Sequence, residues 1–175
     1  MTSKTSGEGD IRKALIEDGN LIDCIVNLPA KLFLNTQIPA ALWFMSRNRS
    51  NGKFRNRSGE ILFIDTRNLG HLINRRTREL SEEDIQQIAN TYHNWRNPDG
   101  NYEDVKGFCC SAPIARVKEL DYVLTPGRYV GLPDDEDDFD FKKRFTALKA
   151  EFEAQLLEET ELNREIIENL ARVVL

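Results

Sequence analysis

The sequence predicts an α/β body followed by a long helical tail, and three observations carry that prediction. Two apolar runs, one at about residues 21–28 that is rich in Ile, Val and Leu and one at 40–47, flank an eleven-residue loop that begins and ends with Pro. Ser81-Glu82-Glu83-Asp84 opens a segment with helical spacing of its apolar residues. From about Phe139 to Val173 the chain carries neither Gly nor Pro.

The elements follow in order. Asp10 to Asp18 reads as a short amphipathic helix, with an N-cap residue, apolar Ile11, Ala14 and Leu15, and a Gly19-Asn20 stop. Leu21 to Leu28 has no internal Gly or Pro and is stopped by Pro29, as a buried strand requires. Ala40 to Ser46 reads the same way. The loop between them, with Phe33, Asn35 and Thr36, is too short for a helical crossover, so the two strands are expected to pair antiparallel. A third strand is expected at 60–65. The capping-box-like start at Ser81, followed by Ile85, Ile88, Ala89, Tyr92 and Trp95, predicts a helix over about 82–96, its apolar stripe directed to core packing. Asn97-Pro98-Asp99-Gly100 then has the composition of a turn.

A net charge of −5 conceals a polarity along the chain. Residues 47–78 hold nine Lys/Arg against Glu60 and Asp65, whereas residues 134–175 hold thirteen Asp/Glu against six Lys/Arg. The basic stretch includes the polar loop Arg49 to Gly59. Arg49, Lys53, Arg55 and Arg57 in it are either contacts for a phosphate backbone or the charges of a solvated hairpin loop. Three cysteines, Cys24 and the adjacent Cys109-Cys110, form neither a disulfide framework nor a metal site, and His71 and His93 lack ligand spacing. The opening residues are small and polar without an apolar signal core, and no run reaches transmembrane length, so a soluble, cytoplasmic protein with no membrane partner is expected.

Beyond Gly131 come an acidic hinge, residues 134–138, and the tail. Phe141, Phe145, Leu148, Phe152, Leu156, Leu162, Ile166, Leu170 and Val173 recur mainly at three- and four-residue steps, a seam suited to another helix. Glu158, Glu159 and Glu161 interrupt it and predict a bend or two shorter helices. The tail pairs with another helix, most simply a second copy, or folds back on its own domain. The expected division is residues 1–131 and 132–175.

Two phrases in this chain, Leu21 to Asn48 and Asp121-Tyr-Val-Leu-Thr-Pro-Gly-Arg-Tyr-Val-Gly131, resemble the modification (M) subunit of type I restriction-modification systems, in the adenine-specific DNA methyltransferase family. The resemblance spans nearly all of residues 9–172. It implies the C-terminal strands and helices of an S-adenosylmethionine-dependent, Rossmann-like methyltransferase domain followed by the helical tail. It further implies methyl transfer from S-adenosylmethionine to the exocyclic nitrogen of adenine in DNA. The partners it implies are DNA, a specificity (S) subunit docked on the tail through Phe145, Leu148, Phe152, Leu156, Ile166 and Leu170, and a restriction subunit. Phe33, in the setting Pro29-Ala-Lys-Leu-Phe33, matches the aromatic residue that stacks on the flipped adenine. From residue type alone, Phe33 reads as a loop aromatic that plugs the end of the sheet, and the flanking pattern sets the stacking role beside that reading.

The chemical motifs of that family are absent. Gly7-Glu8-Gly9 has no preceding strand, and Asn97-Pro98-Asp99-Gly100 lacks the second proline of the adenine-binding motif. No catalytic, cofactor-binding or metal residue is therefore assigned. The isolated chain is expected to bind no S-adenosylmethionine and to transfer no methyl group, and to expose a sheet edge or apolar face where further strands would pair. The alternative is a free-standing interaction module, without enzymatic role, that binds a specificity subunit through its tail.

Overall fold

The computed structural model describes residues 7–33, 36–132 and 141–171, with backbone only for 141 and 142. Asn35, the acidic hinge at 134–138, Phe139 and Val173 lie outside the described residues. Two compact units result, Met1–Asp134 and Asp135–Leu175.

The first unit is mixed α/β. Helix α1 (Glu8–Glu17) starts two residues before the expected Asp10, on Gly7 at φ 78. It ends where Gly19 N donates to Ala14 O and Asn20 turns left-handed. Strands β1 (Ile22–Asn27), β2 (Ala41–Met45) and β3 (Glu60–Asp65) fall where the apolar runs predict them. A short hairpin follows, β4 (His71–Leu72) with β5 (Arg78–Glu79), then α2 (Glu82–Arg96), β6 (Cys109–Pro113) and α3 (Ile114–Glu119). The sheet order is β2-β1-β3-β6: β1 runs antiparallel to β2, as expected, and parallel to β3, while β6 runs antiparallel to β3. Cys109-Cys110 thus belong to an edge strand.

Both faces of the sheet are covered, which is why β1 and β3 are buried along almost their whole length. Ile61 and Phe63 point to one face with Ile22, Ile25, Ile16 of α1, Val117 of α3 and Leu124. Leu62 and Ile64 point to the other with Cys24, Val26 and Trp95 of α2. Strict alternation would put Ile22 and Cys24 on one face. A register irregularity between them, at Asp23, separates the two. The segment from Tyr122 to Val130 closes the first face: Leu124 and Val130 are buried, and the Tyr129 ring stacks on Phe63 at 3.7 Å. Helix α2 carries a full capping box, Ser81 with Asp84, and its Trp95 is fully buried. Its other end is less enclosed. Leu42 and Phe44 of β2 and Ile85, Ile88 and Tyr92 of α2 line an apolar groove of about 440 Å³. Among the described residues β2 has a strand partner on one side only.

The second unit is one continuous helix, α4 (Phe141–Ala171). It does not divide into two shorter helices between Leu156 and Leu162, because Glu158, Glu159 and Glu161 are good helix formers and leave the helix unbroken. Phe145, Leu148, Phe152, Leu156, Ile166 and Leu170 are all exposed along it. No helix among the described residues is long and apolar enough to cross a membrane.

Candidate functional site

Open α/β sheets carry their ligands outside the carboxyl ends of parallel strands. Here β1 and β3 are the parallel pair, with Asn27 beside Asp65 at their carboxyl ends. Two loops leave this end. The first runs from Leu28 to Ala40, starting on buried Leu28 and Pro29. It presents Phe33, half exposed at 50% and outside both core clusters, while the neighbouring Leu32 packs inward. The second runs from Thr66 into the β4–β5 hairpin. Thr66 binds the two together, donating from both N (2.9 Å) and Oγ1 (2.8 Å) to Asn27 O. Beside it the Arg67 guanidinium pairs with Asp65, Nη2 to Oδ2 at 2.7 Å. Gly127 lies against that pair: a Cβ there would stand 2.7 Å from Arg67 Nη2 and 3.1 Å from Asp65 Oδ2.

The opposite, amino-terminal end of β1 and β3 holds a buried charge cluster. Asp23, 1% exposed, accepts from Arg49 Nε at 3.0 Å, Arg57 Nε at 3.1 Å and the Tyr92 hydroxyl at 2.9 Å. Arg49 also donates to Asn20 Oδ1 and Glu60 O, and Arg57 to Arg55 O. Arg55 is engaged by Glu60 and by Trp95 O. Glu60 in turn accepts from Ser111, which accepts from the Trp95 indole. Burial lowers the Arg49 guanidinium from its ordinary value against the opposing pull of Asp23, and burial together with Asp23 pushes the Tyr92 phenol up to about 12.

This cluster corrects two of the expected phosphate contacts. Arg49 and Arg57, each 3% exposed, are internal counter-ions of Asp23 and present no charge to a ligand. Arg55 is half-buried and occupied. Lys53 remains exposed. The loop also lies at the wrong end: a six-residue strand separates it from the Phe33 loop, about 20 Å of extended chain. The sequence did contain a signal for the cluster, a lone Asp in an otherwise apolar strand, because a buried carboxylate needs cationic partners.

The cysteines are structural. Burial raises the Cys24 and Cys109 thiols, and burial with Asp104 pushes Cys110 up to about 12, the reverse of a reactive thiol. No group of residues suited to a metal ion occurs among the described residues.

An exposed aromatic and a basic hairpin thus follow the carboxyl ends of two parallel strands, the end at which open α/β sheets carry their ligands. Residues 1–138 match the profile of the N-6 DNA Methylase family, and the chain belongs to that family. It is 45% identical over 171 residues to the type I restriction enzyme HindI methylase subunit of Haemophilus influenzae, covering 97% of this chain and 37% of the relative. Identity to the MjaIX methylase subunit of Methanocaldococcus jannaschii is 36% over 166 residues, covering 93% of this chain and 28% of the relative. The crystal structure of a type I restriction-modification system methyltransferase subunit from Streptococcus thermophilus is similar at a TM-score of 0.60 and 30% identity, over 75% of this chain and 24% of that one. The chain spans well under half the length of the relatives it matches.

Proposed function

We propose that this chain acts as part of a type I modification methylase, supplying the closing strands of a Rossmann-like catalytic domain and a helical tail that docks on the specificity subunit. The whole enzyme then methylates the exocyclic nitrogen of adenine in DNA and works in the cytoplasm with a specificity and a restriction subunit. S-adenosylmethionine supplies the activated methyl group. Two features support its being held elsewhere in the enzyme: β1 runs straight into Pro29, and the first glycine after β3, Gly70, is packed so that a Cβ would stand 2.5 Å from Glu79 O. In this reading the cofactor is held by other parts of the whole enzyme, and the chain alone transfers no methyl group.

The observation that carries this reading is Phe33, exposed on the loop at the carboxyl end of β1 in a member of an adenine methylase family. A flipped base loses its stacking in the duplex and regains about 1–3 kcal/mol on an aromatic face. The free edge of β2 and the apolar groove beside it suit the further strands and helices of such a domain. The exposed seam of α4 suits a partner helix, and Lys53 is retained as a peripheral cation. The division into a domain at 1–131 and a tail at 132–175 is part of the same proposal.

The test is labelled-methyl transfer to target DNA by the assembled methylase. Phe33→Ala is expected to lower the rate at least tenfold, with Phe33→Trp retaining most of it. A Phe33→Ala enzyme as fast as the parent would remove the stacking role, and an assembled parent that never methylates DNA would remove the methylase reading itself.

A further inference from the structure

We infer that the β4–β5 hairpin is a DNA-backbone contact, in which Arg75 and Arg76 meet phosphates flanking the base that Phe33 receives; this rests on the methylase reading above.

From Thr66 to Arg78 the chain carries four arginines and no acidic residue. The structure assigns them different work. Arg67 is paired with Asp65, and Arg78 Nη1 donates to the carbonyls of Leu69 (2.8 Å) and Gly70 (3.0 Å), bracing the base of the hairpin. Arg75 and Arg76 sit in the turn, both exposed, and no carboxylate lies within ion-pair distance of either among the described residues. The turn is preformed: Asn74 Oδ1 accepts from Arg76 N at 2.8 Å and from Thr77 N at 2.9 Å, and Ile73 N donates to Thr77 O at 3.0 Å. Two guanidiniums on a preformed turn suit phosphate oxygens, because the backbone that carries them is already ordered and each planar fork can bond two oxygens.

Position gives the ligand. Lys31, two residues before Phe33, donates from Nζ to Arg75 O at 3.0 Å and accepts at its own carbonyl from Arg78 N at 2.9 Å. The hairpin is therefore bonded to the Phe33 loop at both its turn and its second strand. The two loops leave the carboxyl ends of neighbouring parallel strands, so the arginines and the aromatic share one side of the sheet. A nucleic acid that delivers a base to Phe33 brings its phosphates to this side. An acidic protein partner would use the cations but has no need of the adjacent aromatic loop.

The experiment uses the methylase assembled with its specificity subunit, and fluorescent duplexes with and without the target sequence. Phosphate contacts strengthen binding uniformly across sequences and steepen its salt dependence, by about one unit of logarithmic slope each. Arg75→Gln with Arg76→Gln is expected to reduce the slope by about two units and to weaken both duplexes by the same factor. Methyl transfer at saturating DNA should remain within about twofold of the parent, which separates this role from that of Phe33. An unchanged slope, or a loss confined to the target duplex, would overturn the inference while leaving the methylase reading intact. A parent complex that binds neither duplex would overturn both. Retained affinity for DNA with loss of assembly onto the specificity subunit would identify a protein partner for the hairpin and also overturn it.

Discussion

Two arginine pairs from one basic stretch meet opposite fates. Arg49 and Arg57 lie on the loop after β2, folded under the amino ends of β1 and β3 against Asp23. Arg75 and Arg76 lie on the hairpin after β3, exposed at the carboxyl ends of the same strands. In the sequence all four are arginines in polar, loop-like surroundings. Their fates diverge because β1 contains a carboxylate at one end and none in reach of the hairpin turn at the other. A buried Asp is tolerated only when cations close around it, so the nearer loop is drawn in and its charge consumed. A run of basic residues thus indicates a binding surface only after the acidic residues of the core have been matched with their partners.

The comparison breaks most visibly at Asp23. Asp23→Ala leaves two buried guanidiniums without their carboxylate and is expected to cost about 3–5 kcal/mol in urea-induced unfolding. A loss below about 1 kcal/mol would mean that the arginines turn outward at little cost and that the two pairs are not so different. Ser81→Ala, which removes one side of the α2 capping box, should cost about 1 kcal/mol and serves as a local reference unconnected with either pair.

Acid should act on the same scale of local features. The Ser81 backbone N–H holds the Asp84 carboxyl below its usual range, and Lys118 with Tyr122 does the same for Glu17. A depressed folded value means that both groups stabilise the fold at neutral pH, and that this contribution is lost as pH falls from the usual carboxylate range through the lower folded values. Unfolding midpoints measured between neutral and acid pH should fall less steeply in Asp84→Asn and Glu17→Gln than in the parent. Smallest of all, Arg75→Gln with Arg76→Gln should shift the unfolding free energy by no more than about 0.5 kcal/mol, since exposed side chains without partners hold nothing together. A larger loss would make the hairpin arginines structural too.

The strands β1, β2 and β3 were legible because each is an apolar run, aliphatic or aromatic, with a Pro or Gly near its boundary, and α2 because its capping box and apolar spacing agree. Strand β6 was not: Cys-Cys-Ser-Ala-Pro has no β-branched residue, and it is a strand because β3 offers it an edge. The hairpin was missed because two-residue strands have no period to detect. Its local signals are the left-handed Gly70 and the Asn74 turn. The continuous α4 corrected a division into two helices inferred from polarity, which governs what a helix packs against and not whether it continues. Of the site, Phe33 was found by resemblance, whereas its neighbours on the hairpin required the β1–β3 pairing. That pairing is long-range and leaves no mark in either loop.

The most direct test is hydrogen exchange of the assembled methylase with and without target DNA, read peptide by peptide. DNA should protect residues 31–33 and 71–79 together, and leave the 49–57 loop, already closed on Asp23, unchanged. Protection of 49–57 with no change at the hairpin would contradict the account, placing DNA at the amino end of the sheet.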